Sequence, residues 1–212
     1  MLRTLILGLT LTLTLTFLGG AVSAQEGEVE PYEDIEESAL APDSPFYFLR
    51  SWQEAIEGFI ANFQGDEARA DLELRFAERR VAEMKRLARL GEDGEIMERL
   101  RQRWEQHLAQ AQERAGKVSE RREEIKERIL EQMDRHRITL EGVLEQVPDE
   151  AKDAINRAIE NYETRRTELL ESFSEDRVEA LKDRLKERLD STIDRFQLRR
   201  ERFRRLLENG LE

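Results

Sequence analysis

Apolar residues return at every third or fourth position over most of this chain, and that spacing limits the fold more than any other feature. From Ile96 the series runs through Leu100, Trp104, Leu108, Ala111, Ala115, Val118, Ile125, Ile129, Met133, His136, Leu140 and Val143 to Val147. Spacings of three and four put a stripe on one face of an α-helix, whereas a half-buried strand needs alternation at every second residue. Outside the first 24 residues no segment alternates in that way. If continuous, residues 96–147 would form a helix about 75 Å long at about 1.5 Å per residue. Gly116 costs about 1 kcal/mol in a helix interior and marks a candidate bend. Breaks near Gly116 and near Ser174 both stay open at this point.

The other stretches carry the same period. Ser44 suits an N-cap and Pro45 a first helical position, and Phe48, Leu49, Trp52, Ile56, Phe59, Ile60 and Phe63 follow as one stripe. Gly65 stops that helix and Asp66 suits the cap of the next. The second helix runs from about Glu67 to Leu90, with Leu72, Phe76, Met84, Leu87 and Ala88 near one face, and residues 91–94 form a turn. Pro148 ends the third pattern and opens the last, which runs from Ile155 to Leu207. The expected fold class is all-α: an extended helical bundle of long antiparallel, coiled-coil-like hairpins.

The N-terminus reads as a signal peptide, residues 1–24: Arg3, an apolar Leu5–Leu18 run, Gly19-Gly20 and the small residues Val22-Ser23-Ala24. The expected location is therefore outside the cytoplasm, periplasmic or extracellular, with no membrane span after cleavage. Residues 25–43 contain the carboxylates Glu26, Glu28, Glu30, Glu33, Asp34, Glu36, Glu37 and Asp43 and no base, and are expected to be a flexible acidic tail. A helical domain over 44–162 and a long charged C-terminal helix over 163–212 complete the expected organisation.

Six of the 13 aromatic residues that follow position 24 lie between 46 and 63. Phe46, Phe48, Trp52, Phe59 and Phe63 are accordingly expected to form a buried aromatic wedge that closes one end of the bundle. The alternative, a helix lying in a membrane interface, normally carries Lys and Arg on its polar face. Here that face offers Gln53, Glu54, Glu57 and Asn62, with Arg50 its one base.

Little in the sequence suggests catalysis. With no cysteine, thiol chemistry, iron–sulfur clusters and covalent haem are excluded. The two histidines, His107 and His136, follow Trp104 and Met133 at three residues, so neither completes the Glu-x-x-His pattern of a bundle metal site. No cofactor or metal ligand set is read. A net charge of −12 argues against nucleic acid as the main ligand.

Three segments resemble a known family: residues 42–52 (PDSPFYFLRSW), residues 77–92 (AERRVAEMKRLARLGE) and residues 136–160 (HRITLEGVLEQVPDEAKDAINRAIE). Over about 41–162 they are similar to the exported, all-helical bacterial family called domain of unknown function 5667. The resemblance implies export and helices, and brings no catalytic residues with it.

The function expected is that of an exported, non-enzymatic helical scaffold or adaptor in the cell envelope, acting on a protein or envelope partner, with homo-oligomerisation through the helices left open. One alternative is an ATP-independent, chaperone-like helical protein. A second is binding to anionic envelope surfaces through the basic C-terminal helix, where Arg195, Arg199, Arg200, Arg202, Arg204 and Arg205 outnumber the nearby acids. The acidic tail could then screen these arginines.

Overall fold

The computed structural model describes residues 32–91 and 94–209. They form six helices, α1 (Phe48–Gln64), α2 (Asp66–Leu90), α3 (Gly94–Lys117), α4 (Arg122–Leu144), α5 (Asp149–Glu171) and α6 (Glu175–Asn209), and among the described residues there is no strand. The helices pack antiparallel as a bundle. Helices α2 to α5 form its centre, α1 lies against α2, and α6 lies against α4.

The 96–147 stripe is not one rod. It breaks after Lys117, and α4 starts after Arg121, whose φ of 59° turns the chain back. Folded over, both halves of the stripe face one core. Met97, Leu100, Trp104 and Leu108 from α3 meet Ile125, Ile129, Met133 and Leu140 from α4, all essentially buried. Leu72, Met84 and Leu87 of α2 and Ile155 and Tyr162 of α5 are buried in the same way. A bend at Gly116 is not needed, because the turn lies at 118–121. The second break is real: α5 ends at Glu171 and α6 begins at Glu175.

Punctuation read from the sequence holds at several points. Gly65 separates α1 from α2 at φ 98°, and Gly91 ends α2 in the left-handed region, where a side chain would be strained. Pro148 is the N-cap residue of α5. Ser44 differs from expectation. Residues 42–47 form turns, and α1 starts four residues later, after Tyr47. Gly94 has a packing reason: a Cβ there would lie 2.5 Å from the carbonyl oxygen of Glu150, so the start of α3 can meet the start of α5 only without a side chain.

The acidic stretch corrects a further expectation. Residues 32–43 are not a loose tail but a strap laid across the helices. Tyr32, Ile35 and Ala41 are buried. The Tyr32 N–H donates to Thr192 Oγ1 of α6 at 2.8 Å, and the Arg188 guanidinium sits 4.5 Å from the centre of the Tyr32 ring. Arg135 of α4 donates to the Glu33 carbonyl at 2.7 Å. The strap's carboxylates then reach α2: Asp34 pairs with Lys85 at 2.9 Å, Glu37 with Arg89 at 2.8 Å and Asp43 with Arg86 at 2.8 Å. Residues 25–31 of the expected tail, like the signal segment, lie outside the described residues.

Candidate docking face on the first helix

Helix α1 carries two stripes. Tyr47, Arg50, Glu54, Glu57, Gly58 and Ala61 recur at three and four, and so do Leu49, Trp52, Ile56, Phe59 or Ile60, and Phe63. Either could in principle face the bundle. The structure turns the polar stripe inward and the aromatic stripe outward. Phe46, Phe48, Trp52, Phe59 and Phe63 are 60%, 57%, 71%, 65% and 77% exposed, and Leu49, Ile56 and Ile60 are exposed with them. The expected aromatic wedge is therefore corrected at all five positions: these side chains close nothing and form a surface.

The inversion has a local cause on α2. Arg80 and Glu83 are both buried there, one α-helical step apart. A buried charge is tolerated only when paired and hydrogen-bonded, and α1 supplies the partners. Glu54 accepts from Arg80, and the Tyr47 hydroxyl accepts from Arg80 at 2.8 Å while donating to Glu83 Oε2 at 3.1 Å. Arg50 approaches Glu83 at 3.8 Å and also donates to Ser38 Oγ of the strap at 3.0 Å. Burial pushes the Glu83 carboxyl up to about 7, against the opposing pull of Arg80, Tyr47 and Arg50. Further along, Arg79 holds Glu57 at 2.9 Å and Arg69 donates to the Gly58 carbonyl at 3.0 Å. Apolar contact is confined to the small cluster of Ala61, Leu72 and Phe76.

All three charged residues of α1 are thus engaged with the bundle. Its exposed polar positions, Ser51, Gln53, Asn62 and Gln64, are neutral. In a chain with 39% charged residues this uncharged aromatic face is the most distinctive surface described.

The remaining candidates fall elsewhere. His136 is buried beside Trp104, whose indole N–H donates to His136 Nδ1 at 3.2 Å; burial holds the ring neutral and pushes its pKa down to about 3. His107 Nδ1 lies 2.7 Å from buried Glu73, which also pairs with Arg69. Asp134, buried in α4, accepts from the Tyr162 hydroxyl at 2.5 Å and from Arg166 at 3.1 Å. These are partnered groups of the interior. No group of three or more His, Cys, Asp or Glu side chains among the described residues is arranged to hold a metal ion. No helix among them is long and apolar enough to cross a membrane. Arg195 is exposed on α6, whereas the side chains of Arg199, Arg200, Arg202, Arg204 and Arg205 lie outside the described residues. Asp34, Glu37 and Asp43 are bound to α2, so these three are not a screen for the C-terminal arginines.

The sequence model of the domain of unknown function DUF5667 matches residues 39–150, just over half of the chain. This chain belongs to the DUF5667 family. The match takes in α1 to α4 and ends at the first turn of α5, short of the limit near 162 suggested by the sequence motifs. The aromatic face of α1 and the ion cluster beneath it both lie inside the DUF5667 boundaries, while α6 and its arginines lie outside. No curated protein and no solved structure matches the chain.

One feature of the DUF5667 segment was readable but missed. Glu73, Arg80 and Glu83 fall in phase with Leu72, Phe76 and Leu87, on the inward side of α2. Charges that recur in the apolar phase of a helix ask for partners from a neighbour, and Tyr47, Arg50 and Glu54 form a matching polar stripe one helix earlier.

Proposed function

We propose that this protein is an exported, non-enzymatic helical scaffold that works by association through the outward face of α1. The observation that carries the reading is the orientation of that helix: its charges are engaged with the bundle and its large apolar side chains point to solvent. A monomer's largest apolar patch is usually about 300–600 Å². Eight side chains of about 200 Å² each, exposed by 48% to 77%, leave roughly 900 Å². Export rests on the signal-like residues 1–24.

A photo-crosslinking amino acid at position 59, with a second probe at exposed Arg99 as control, tests the reading in an exporting host. Discrete adducts from position 59 and none from position 99 are expected. Absence of adducts at both positions would remove the association reading. A broad smear of many client proteins, together with suppressed aggregation of unfolded proteins in vitro, would favour the chaperone-like alternative. Retention of the chain inside the cell would remove export.

A further inference from the structure

The outward face of α1 is self-complementary in its sequence as well as in its chemistry. Helix α1 has 17 residues, Phe48 to Gln64, and its middle residue is Ile56. Five of the outward apolar positions are symmetric about Ile56: Ile56 itself, Trp52 and Ile60 four residues to either side, and Leu49 and Phe63 seven; Phe59 and Phe48 lie off this pattern, with Gln53 and Gln64 at their mirror positions. Resting on the reading of α1 as an association surface, we propose that its occupant is the same face of a second copy of this chain. The two α1 helices pack antiparallel about a two-fold axis at Ile56. Such an axis makes an interface isologous, so that each residue meets its counterpart's complement. Ile56 then meets the partner's Ile56, Trp52 meets the partner's Ile60, and Leu49 meets the partner's Phe63.

Area and charge point the same way. The roughly 900 Å² open on one copy corresponds to the about 800 Å² that each partner gives up in a specific interface. Two chains of net charge −12 repel each other, and most of the surface is charged. The outer side of α1 carries no exposed charge, so it is a place where two acidic copies can touch without like charges in contact. A bilayer fits less well. Interfacial helices present Lys and Arg beside their apolar face, and an anionic headgroup layer would repel an acidic protein. The ion pairs of Arg79 and Arg80 with Glu57 and Glu54 hold α1 on α2, so the face is presented without refolding.

Sedimentation velocity on the full chain purified from an exporting host tests the proposal, using the wild type, Ile56→Glu and Ile56→Val. The Glu substitution places two like charges face to face on the axis, while the Val substitution keeps the face apolar. A wild-type particle of twice the mass of the purified exported chain is expected. Its dissociation constant should rise by roughly a hundredfold in Ile56→Glu and by less than about tenfold in Ile56→Val. Higher salt should strengthen the dimer, because it screens the net repulsion and leaves apolar contact in place. Circular dichroism of Ile56→Glu at submicromolar protein should match the wild type.

A wild-type monomer throughout the micromolar range, with Trp52 open to acrylamide quenching, would overturn self-pairing and leave α1 as a face for another partner. Flotation of that monomer with phosphatidylcholine vesicles would give the face to lipid, and would also overturn self-pairing. A dimer indifferent to Ile56→Glu would overturn this interface. Unfolding of the Ile56→Glu monomer would mean that the position is buried, and would overturn both the pairing and the reading beneath it.

Discussion

Glu83 lies where α1, α2 and the strap converge, and its charge is tied to folding. Its carboxyl is raised from the ordinary 4.5 to about 7 by burial, so the folded state binds a proton there between these pH values while the unfolded state does not. Stability from this group is therefore present near pH 4.5 and below and is lost as pH rises towards 7. His136 has the opposite sign: burial lowers it from 6.5 to about 3, so its contribution is lost as pH falls through that interval. The two oppose each other between about pH 4.5 and 6.5, and above that Glu83 dominates the pair. Glu83→Gln carries no charge at any pH. Its thermal midpoint relative to wild type should rise from pH 5 to pH 8, by an amount equivalent to about 1–3 kcal/mol. Thermal unfolding followed by circular dichroism at both pH values checks this; a constant difference would mean that Glu83 ionises normally in the fold.

At the scale of the element, α1 and the strap are held by unlike forces. The inward side of α1 depends on Arg80, which is buried and bonded to Glu54, Tyr47 and Glu83. Removing one partner of such a cluster strands the others, so Arg80→Ala should cost about 3–5 kcal/mol in urea unfolding. Trp52→Gln and Phe59→Gln act on exposed rings, and at submicromolar protein each should change stability by no more than about 0.5 kcal/mol. That ordering reverses the one a buried aromatic wedge predicts. The strap is anchored by Ile35, only 1% exposed, and by the Lys85 ammonium, which donates to the Ile35 carbonyl at 2.8 Å. Ile35→Ala should cost about 2–4 kcal/mol. A cost near zero in the same urea titration would mean that the strap detaches readily.

For the whole molecule, the strap links elements that are distant in sequence. Tyr32 binds Thr192 of α6, Glu33 binds Arg135 of α4, and Asp34 to Asp43 bind α2 before the chain enters α1. Helix α6 continues beyond this anchor to Asn209. Thr192 is its last buried residue among those whose side chains are described, and Leu198 is 63% exposed. Deleting residues 195–212 should therefore shift the thermal midpoint by less than about 3 °C, equivalent to roughly 1 kcal/mol. A larger fall would show that the end of α6 packs on the bundle. The same truncation, tested against anionic vesicles at low and high salt, separates the C-terminal arginines from α1 as a binding surface.

Periodicity by itself determined that this chain is helical, and Gly65, Gly91 and Pro148 placed three of its boundaries, because those features act within a single turn of backbone. The break between α3 and α4 was less legible. The stripe keeps its phase across 118–121 because both halves face the same core, so nothing in the period marks the point of return. The periodicity of α1 alone did not decide its direction; the hint lay in the charges that fall in the apolar phase of α2. Two stripes share that helix, and its apolar stripe is the stronger one taken alone. Only in the tertiary structure do Arg80 and Glu83 meet Glu54 and Tyr47, and the need to pair those buried charges turns the helix. The acidic strap was misread for the same reason. Its own composition favours disorder, while the Lys85, Arg86, Arg89 and Arg135 side chains that bind it lie 43 to 102 residues away in the sequence.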